Sequence, residues 1–595
     1  LLLSPLDEYT TRLAARTVAH VRWLRLDERL SYARLVVVAT FVVIGWLAFW
    51  MRAISPGWIG LPVVAFIALA VWHDRVIRAR DAAARAIAFY ERGIARIEDR
   101  WAGGGDPGLR FRDEEHLYAQ DLDLFGPASL FELLSIARTH AGGDQLAAWL
   151  KAPSELSELR LRQEAIEELR GRLDLREAIA LAGNEIRSID TESLSSWATR
   201  PALLRATWAR VVAPVLALGA VWSGIWWMME GPIGPFLIAA GVEAVFARSF
   251  GRKIRQVVHS VDRPSGELDV LVQALLLIER EPVSARRLTS LRATLESEQV
   301  SASAAIKRLH RLSEMHDWQH NLVFGIVAPF LLWSTQIALA IEAWRRQFGS
   351  DVPKWIQTLG EYEALGSLAA YAYEHPADPF PAFIDDGPGT FAGIALGHPL
   401  VPALQMVRND VTLGDVRLFV VSGSNMSGKS TLLRTVGINI VLALAGAPVR
   451  AERLALTSLN LGATLRIQDS LQAGRSRFFA EISRVRQIVD LARSPRALLF
   501  LLDELLQGTN SHDRAIGAAA VLRTLVERGA IGLITTHDLA LTAMVDDFQG
   551  RATNVHFEDH FDRGELVFDY RMRPGPVTRS NALALMRTVG LEVNE

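Results

Sequence analysis

The chain has no cysteine. That excludes disulfides, thiolate metal sites, iron–sulfur clusters and cysteine nucleophiles, and it is compatible with a reducing compartment. Lysine is nearly as scarce: Lys151, Lys253, Lys307, Lys354 and Lys429 are the five lysines among 64 basic side chains, and the rest are arginine. Charge of one sign is missing too, since 64 basic and 66 acidic residues leave a formal net charge of −2. A global basic field of the kind a dedicated nucleic-acid binder carries is therefore excluded, and any DNA contact has to be local. What the chain has in excess is apolar. A mean hydropathy of +0.17 and 16 tryptophans direct attention to long uncharged runs. The 595 residues are enough for roughly three or four domains, each with its own core.

Four apolar runs stand out, at 35–51, 57–72, 211–229 and 232–247. As helices they reach about 24 to 29 Å, slightly less than a hydrocarbon core of about 30 Å, a deficit that interfacial tryptophan and snorkelling arginine can cover. Buried core hairpins are the alternative, and the flanks speak against it. Arg22, Arg25, Arg29 and Arg34 precede the first run, Arg75, Arg78 and Arg80 follow the second, and only Arg52 lies between. The second pair repeats this, with Arg205 and Arg210 before it and Arg248, Arg252, Lys253 and Arg255 after it. By the positive-inside rule both hairpins start and end in the cytoplasm. The expectation is four transmembrane helices in the inner membrane, with the remaining domains on the cytoplasmic side. A fifth run, 322–341, would place everything after it outside, so it is read as a buried helix kinked near Pro329. Glu243 within the fourth run reads as interfacial rather than as part of an ion path.

Beyond the first hairpin, 74–101 reads as an amphipathic helix, with Ala83, Ile87, Tyr90, Ile94, Ile97 and Trp101 forming a seam within the chain or with a second copy. Residues 109–200 and 256–375 are helical by pattern. After the proline-rich joint at 375–383 the texture turns to short β-like runs alternating with helices, which indicates an α/β domain with a largely parallel sheet. The expected organisation is an N-terminal segment (1–34), hairpin (35–72), amphipathic helix and linker (73–108) and a helical core in two parts (109–204 and 251–375). The second hairpin (205–250) splits that core, and the C-terminal α/β domain (376–595) follows it.

The stretch "VVSGSNMSGKST" joins a strand to a helix through a glycine loop, the context a phosphate loop requires. Gly423 and Gly428 let main-chain N–H groups crowd around phosphates at the positive end of a helix. Lys429 reaches the β- and γ-phosphates as a compact charge, and Ser430 binds Mg²⁺. A forked guanidinium does not replace an ammonium in such a nest, so a chain otherwise made of arginine keeps lysine here. Downstream, "ALLFLLDE" ends on Asp503 and Glu504. On their own they would be a solvated turn; with a phosphate loop upstream they read as Mg²⁺ organiser and general base. His537 follows another strand, where it can sense the γ-phosphate.

The loop "GSNMSGKST" resembles the G-x-N-M-x-G-K-S-T of the MutS family of DNA mismatch-repair ATPases, as do "LDELLQGTN", "TTHD" and "AGRSRFFAE". Residues 121–169 are similar to that family's helical core. The resemblance implies a P-loop NTPase of the ABC-type architecture that binds ATP with Mg²⁺. Its nucleotide contacts are Gly423, Ser424, Asn425, Met426, Ser427, Gly428, Lys429, Ser430 and Thr431. Lys429, Glu504 and His537 are its catalytic set, and Ser430 and Asp503 hold the metal. It also implies a homodimer with composite sites, in which Ser476 of one subunit reaches the ATP of the other. Two departures put DNA reading in doubt: neither the family's mismatch-reading domain nor its DNA-clamping insertion is evident. Met406 also falls near where the family stacks an aromatic on adenine. Two functions stay open: an ATP-switched dimer at the membrane acting on DNA, with Arg286, Arg287, Lys307, Arg308 and Arg311 as local basic candidates, and a membrane scaffold whose dimer state ATP sets. An ABC-type transporter is disfavoured because its L-S-G-G-Q signature is absent.

Overall fold

The computed structural model describes residues 4–182, 191–204, 206, 208–262, 265–296, 300–321, 324–385, 387–424, 426–465, 477–507, 510–562 and 565–577. Asn425, Ser476 and parts of the segments "AGRSRFFAE" and "LDELLQGTN" lie outside the described residues.

The chain opens on a continuous helix of 45 residues, α1 (Pro5–Phe49), started by Ser4, whose hydroxyl accepts the Asp7 N–H at 3.2 Å, with proline in the first turn. At about 1.5 Å per residue it is close to 67 Å long, far more than the apolar run that ends it. Its polar first half buries Tyr9 and Leu30, whereas Leu35, Val36, Val42, Val43 and Phe49 are exposed. A turn with Arg52 at φ 51° leads into α2 (Gly60–Ile97), which packs antiparallel on α1. The apolar run at 57–72 and the amphipathic segment expected after it are thus one uninterrupted helix. The seam on α2 is intramolecular: Tyr90 is wholly buried and meets Tyr9 of α1 edge to face, 5.7 Å between ring centres.

The second hairpin is α3 (Ala209–Met228) and α4 (Gly234–Asp262). On α3, Ala209, Ala213, Ala217 and Ala220 recur every three or four residues and are buried, while Val211, Val215, Leu218 and Trp222 form an exposed stripe on the other side. Among the described residues three helical segments are long and apolar enough to cross a membrane: α1, Pro56–Ile97 and α3. α4 is not among them, and a bent pair, Phe324–Leu331 and α5 (Trp333–Phe348), meets the criterion only when joined across its 65° bend. The fifth run is therefore broken rather than kinked. Leu332 takes φ 46° three residues after Pro329, and the first half exposes Ile326 and Val327 instead of burying them. Only the second half is core.

Helix α6 (Val352–Glu374) forms the axis of the helical core, with nearly every side chain from Thr358 to Ala372 buried against helices His140–Lys151 and Leu156–Arg170. The C-terminal part holds two sheets. The smaller has the order β1–β5–β2–β3 (Ala382–Ile384, Arg453–Thr457, Phe391–Leu396, Asn409–Leu413). The larger has the order β10–β9–β4–β8–β7–β6 (Glu565–Pro574, Ala552–Asp562, Leu418–Ser422, Ile531–Thr536, Ala497–Asp503, Leu459–Thr464). Its pairings are parallel except β9 with β10, and β4 and β8 are buried at every residue, as strands covered on both faces must be.

The helical core docks directly on this larger sheet. Leu117 carbonyl accepts the Ala463 N–H at 2.9 Å, Asp121 accepts the Leu465 N–H at 2.7 Å, and Arg434 pairs with Asp123 at 3.0 Å. Leu122 packs so closely on Gly437 of the helix after β4 that a Cβ there would lie 2.6 Å from it.

Candidate functional site

Parallel sheets collect loops at the C-terminal ends of their strands, and here β4, β7 and β8 deliver theirs side by side. The loop after β4 runs into α7 (Lys429–Ala445). Gly423 has φ 144° and Gly428 φ 105°, and a Cβ would lie 2.9 Å from the Phe557 carbonyl oxygen at the first and 3.0 Å from the Tyr570 ring at the second. Both positions need glycine for space as well as for backbone angle. Met426 also has positive φ (67°) and stands outside the loop with its side chain exposed.

Lys429 is buried and its ammonium donates to two carbonyls of its own loop, Gly423 at 2.8 Å and Ser424 at 2.7 Å. Burial lowers its pKa, against which the carboxylates of Glu504, Asp503 and Asp559 act. Ser430 Oγ donates to Asp503 Oδ2 at 2.6 Å, and Thr535 Oγ1 hydrogen-bonds the other oxygen, Oδ1. Register explains this, because Asp503 at the end of β7 stands opposite Thr535 of β8. Glu504 has φ 48°, with its N–H donating to Thr535 Oγ1 at 3.0 Å, and its carboxylate meets the Gln507 amide and His537 Nδ1, the latter at 3.4 Å. The residues singled out from sequence at three distant points therefore converge on one place. Thr431 lies in the first turn of α7, its carbonyl accepting from Thr435 Oγ1 at 2.7 Å.

Three contributors carry no role in the sequence reading. Thr535 orients Asp503 and Glu504. Glu481, on α8 (Arg477–Leu491), is buried and accepts the N–H of Leu506, itself at φ 62°, so it fixes the turn that follows the Asp-Glu pair. Its signal was the last letter of "AGRSRFFAE". Tyr570, beside Gly428, presents a half-exposed ring. Met406 instead packs on Gly397, where a Cβ would lie 2.3 Å from its sulfur. Glu481→Ala leaves the Leu506 N–H buried without that acceptor, an expected cost of about 1–3 kcal/mol. Thermal unfolding checks it, and Glu481→Gln, which keeps an acceptor, should restore most of the loss.

The cluster fits a nucleotide polyphosphate with Mg²⁺. Among the described residues, Ser424 Oγ and Ser427 Oγ of this loop are buried without a hydrogen-bond partner, as donors kept for a bound anion would be. Ser430 hydroxyl and Asp503 carboxylate are hard oxygen donors suited to Mg²⁺, which keeps waters and phosphate oxygens as its other ligands. Of the basic candidates for DNA, Arg287 is engaged internally with Glu361 and, at 3.7 Å, Glu158, whereas Arg286, Lys307, Arg308 and Arg311 are exposed.

Residues 419–594 match the family model of MutS domain V. Curated relatives agree. "Endonuclease MutS2" of Thermus thermophilus is 34% identical over 242 residues, 40% of this chain and 31% of that protein. "DNA mismatch repair protein MutS 2" of Haloarcula marismortui is 37% identical over 201 residues, 33% of this chain and 21% of that protein. "DNA mismatch repair protein MutS" of Thermus thermophilus is 30% identical over 289 residues, 48% of this chain and 34% of that protein. The chain thus spans about a third or less of the relatives it matches.

Proposed function

We propose that this chain, which belongs to the MutS family, is an ATP-hydrolysing switch tethered to a membrane by its first hairpin and acting as a homodimer on DNA. The observation that carries the reading is the convergence of Lys429, Ser430, Asp503, Glu504 and Thr535 within the segment that matches domain V. In this reading Lys429 turns from the loop carbonyls to the β- and γ-phosphates, and Ser430 and Asp503 hold Mg²⁺. Mg²⁺ held there would neutralise charge on the polyphosphate. Glu504 orients the attacking water and accepts its proton, and His537, beside it, senses the γ-phosphate. Ser476 of a second subunit completes the site. Docking of Leu122 on Gly437 carries changes at α7 into the helical core.

The membrane tether is supported by the exposed apolar halves of α1 and α2. Arginine on both cytoplasmic flanks favours an inner-membrane location with the site inside. A second reading, a membrane scaffold whose dimer state ATP sets, is favoured by the same hairpins together with the limited span of the family match.

Hydrolysis by the detergent-solubilised protein, measured with and without homoduplex, mismatched and branched DNA, separates the two. The DNA reading expects stimulation that falls steeply with salt as phosphate contacts are screened and that vanishes in Lys429→Ala. Turnover unaffected by any DNA at low salt would leave the scaffold.

A further inference from the structure

We propose that the second hairpin, Trp318–His320 and Phe324–Leu331 form a single oblique wedge that enters one leaflet of the bilayer without crossing it, an inference that rests on the membrane tether above. The heights of neighbouring helices carry it. At the base, Leu203 N–H donates to Glu342 at 3.1 Å, Arg345 donates to the Pro201 carbonyl at 3.0 Å, and Arg210 lies within Coulomb reach of Glu342 and Arg346. From there α5 runs back along α3 and α4 to Trp333, about 14 Å higher at 1.5 Å per residue.

Beside α5 lies the helix Ala302–Asp317, pinned at both ends: Trp344 Nε1 donates to the Ala305 carbonyl and Trp333 Nε1 to the Met315 carbonyl, each at 2.7 Å. It also packs on α4, and its outer face exposes Lys307, Arg308, Arg311, Glu314 and Asp317. Full immersion of the hairpin would draw these charges to bilayer depth at a few kcal/mol each near the centre. That cost forbids crossing.

Above Trp333 no charged helix flanks the hairpin among the described residues. The backing passes to Phe324–Leu331, with Phe330 against Phe236 (5.5 Å between ring centres) and Phe236 stacked on Trp227 (5.7 Å). Trp222, Trp226, Trp318, Phe324 and Trp333 complete an aromatic crown, from which Met228 (82% exposed) and Ile326 (71%) project. Trp318 and Trp333, stacked on each other at the level where the charged helix ends, have the apolar body and polar edge that suit the headgroup boundary, and the rings nearer the tip lie deeper. The remaining rise of α3 is about 15 Å, close to half of a hydrocarbon core of about 30 Å. Glu243, buried on α4 about 14 Å from its first residue, lies where the leaflet ends.

The wedge is oblique because the exposed stripe Val211, Val215, Leu218 and Trp222 faces away from the small-residue face of α3 and so meets lipid along its length. Exposed Arg248, Arg252, Lys253 and Arg255 at the foot of α4 then meet anionic headgroups.

The absence of cysteine makes the test direct. Single cysteines replace Val42, Leu218, Met228 or Ile326 in the full chain, each variant matched to the parent by thermal unfolding and reconstituted in vesicles of zwitterionic and anionic phospholipid. Spin-label depth and an impermeant maleimide applied from either face are the readouts. Expected are Val42→Cys near the bilayer centre, Met228→Cys and Ile326→Cys within one leaflet and unreactive from both faces, and Leu218→Cys shallower. Modification of Met228→Cys only from the face opposite the helical core would show a crossing and overturn the wedge. Met228→Cys and Ile326→Cys both in water, with Val42→Cys embedded, would overturn the wedge and leave the tether standing. Val42→Cys in water would remove the tether and the wedge with it.

Discussion

Glu504→Gln should bind ATP with unchanged affinity and hydrolyse it at least 100-fold more slowly. The amide keeps the shape of the carboxylate and its contacts with Gln507 and His537 but cannot take a proton from water. A positioned general base contributes about 10²- to 10⁴-fold, so the barrier should rise by roughly 3 to 5 kcal/mol. Lys429→Ala should show the complementary pattern, with binding itself lost. Lys429→Arg should behave like alanine, since the Gly423 and Ser424 carbonyls receive a compact three-donor ammonium inside a closed loop. Equilibrium binding of a fluorescent ATP analogue, paired with single-turnover hydrolysis, separates the two steps. Rapid turnover by Glu504→Gln would move the base elsewhere. His537, about half-exposed at 3.4 Å from Glu504, would be the next group to test.

The parts of this site that were legible in the sequence are those set by local backbone geometry. A loop that must present N–H groups to phosphate needs glycine at fixed places, and Gly423 and Gly428 show it through φ and through the absence of room for a Cβ. Asp503 and Glu504 were legible because an apolar strand stops on them. Tyr570 was not, and Thr535 stood in "TTHD" without a role, because they reach the loop through strand register and hairpin pairing across the sheet. Apolar runs are similarly informative about composition and silent about partners. The run at 322–341 has one texture, yet Ile337 and Ile341 are core while Ile326 and Val327 are exposed. Helix bounds were the weakest reading. α1 starts about thirty residues before the run that announced it, because Ser4 caps a polar helical stretch that continues without a break into the apolar run.

That polar half of α1 meets α2 and the helical core at a buried joint, where the second large effect is expected. Arg96 of α2 forms a paired hydrogen bond to Glu374 at 2.6 and 2.7 Å, and Tyr9 of α1 donates to the same carboxylate at 3.2 Å. Glu374→Ala strands a buried guanidinium and should cost about 3 to 5 kcal/mol, the range for breaking one side of a buried pair. Glu374→Gln, which keeps an acceptor, should cost less. The next residue, His375, lies between Arg96 and Arg450, the latter at 3.2 Å. Burial, and then the charges of Arg450 and Arg96, push its pKa down to about 3. The unfolded chain binds this proton near pH 6.5 and the folded chain does not, so stability conferred by neutral His375 is complete above that pH. It falls steadily as the pH drops from about 6.5 towards 3. His375→Asn should flatten that limb of a stability–pH profile measured by urea unfolding, whereas Glu374→Ala should lower the whole profile. The two outcomes differ because one removes a proton site and the other a charge partner. An unchanged acid limb in His375→Asn would mean that other buried groups, such as His398 beside Arg434, with its pKa lowered to about 4, govern it.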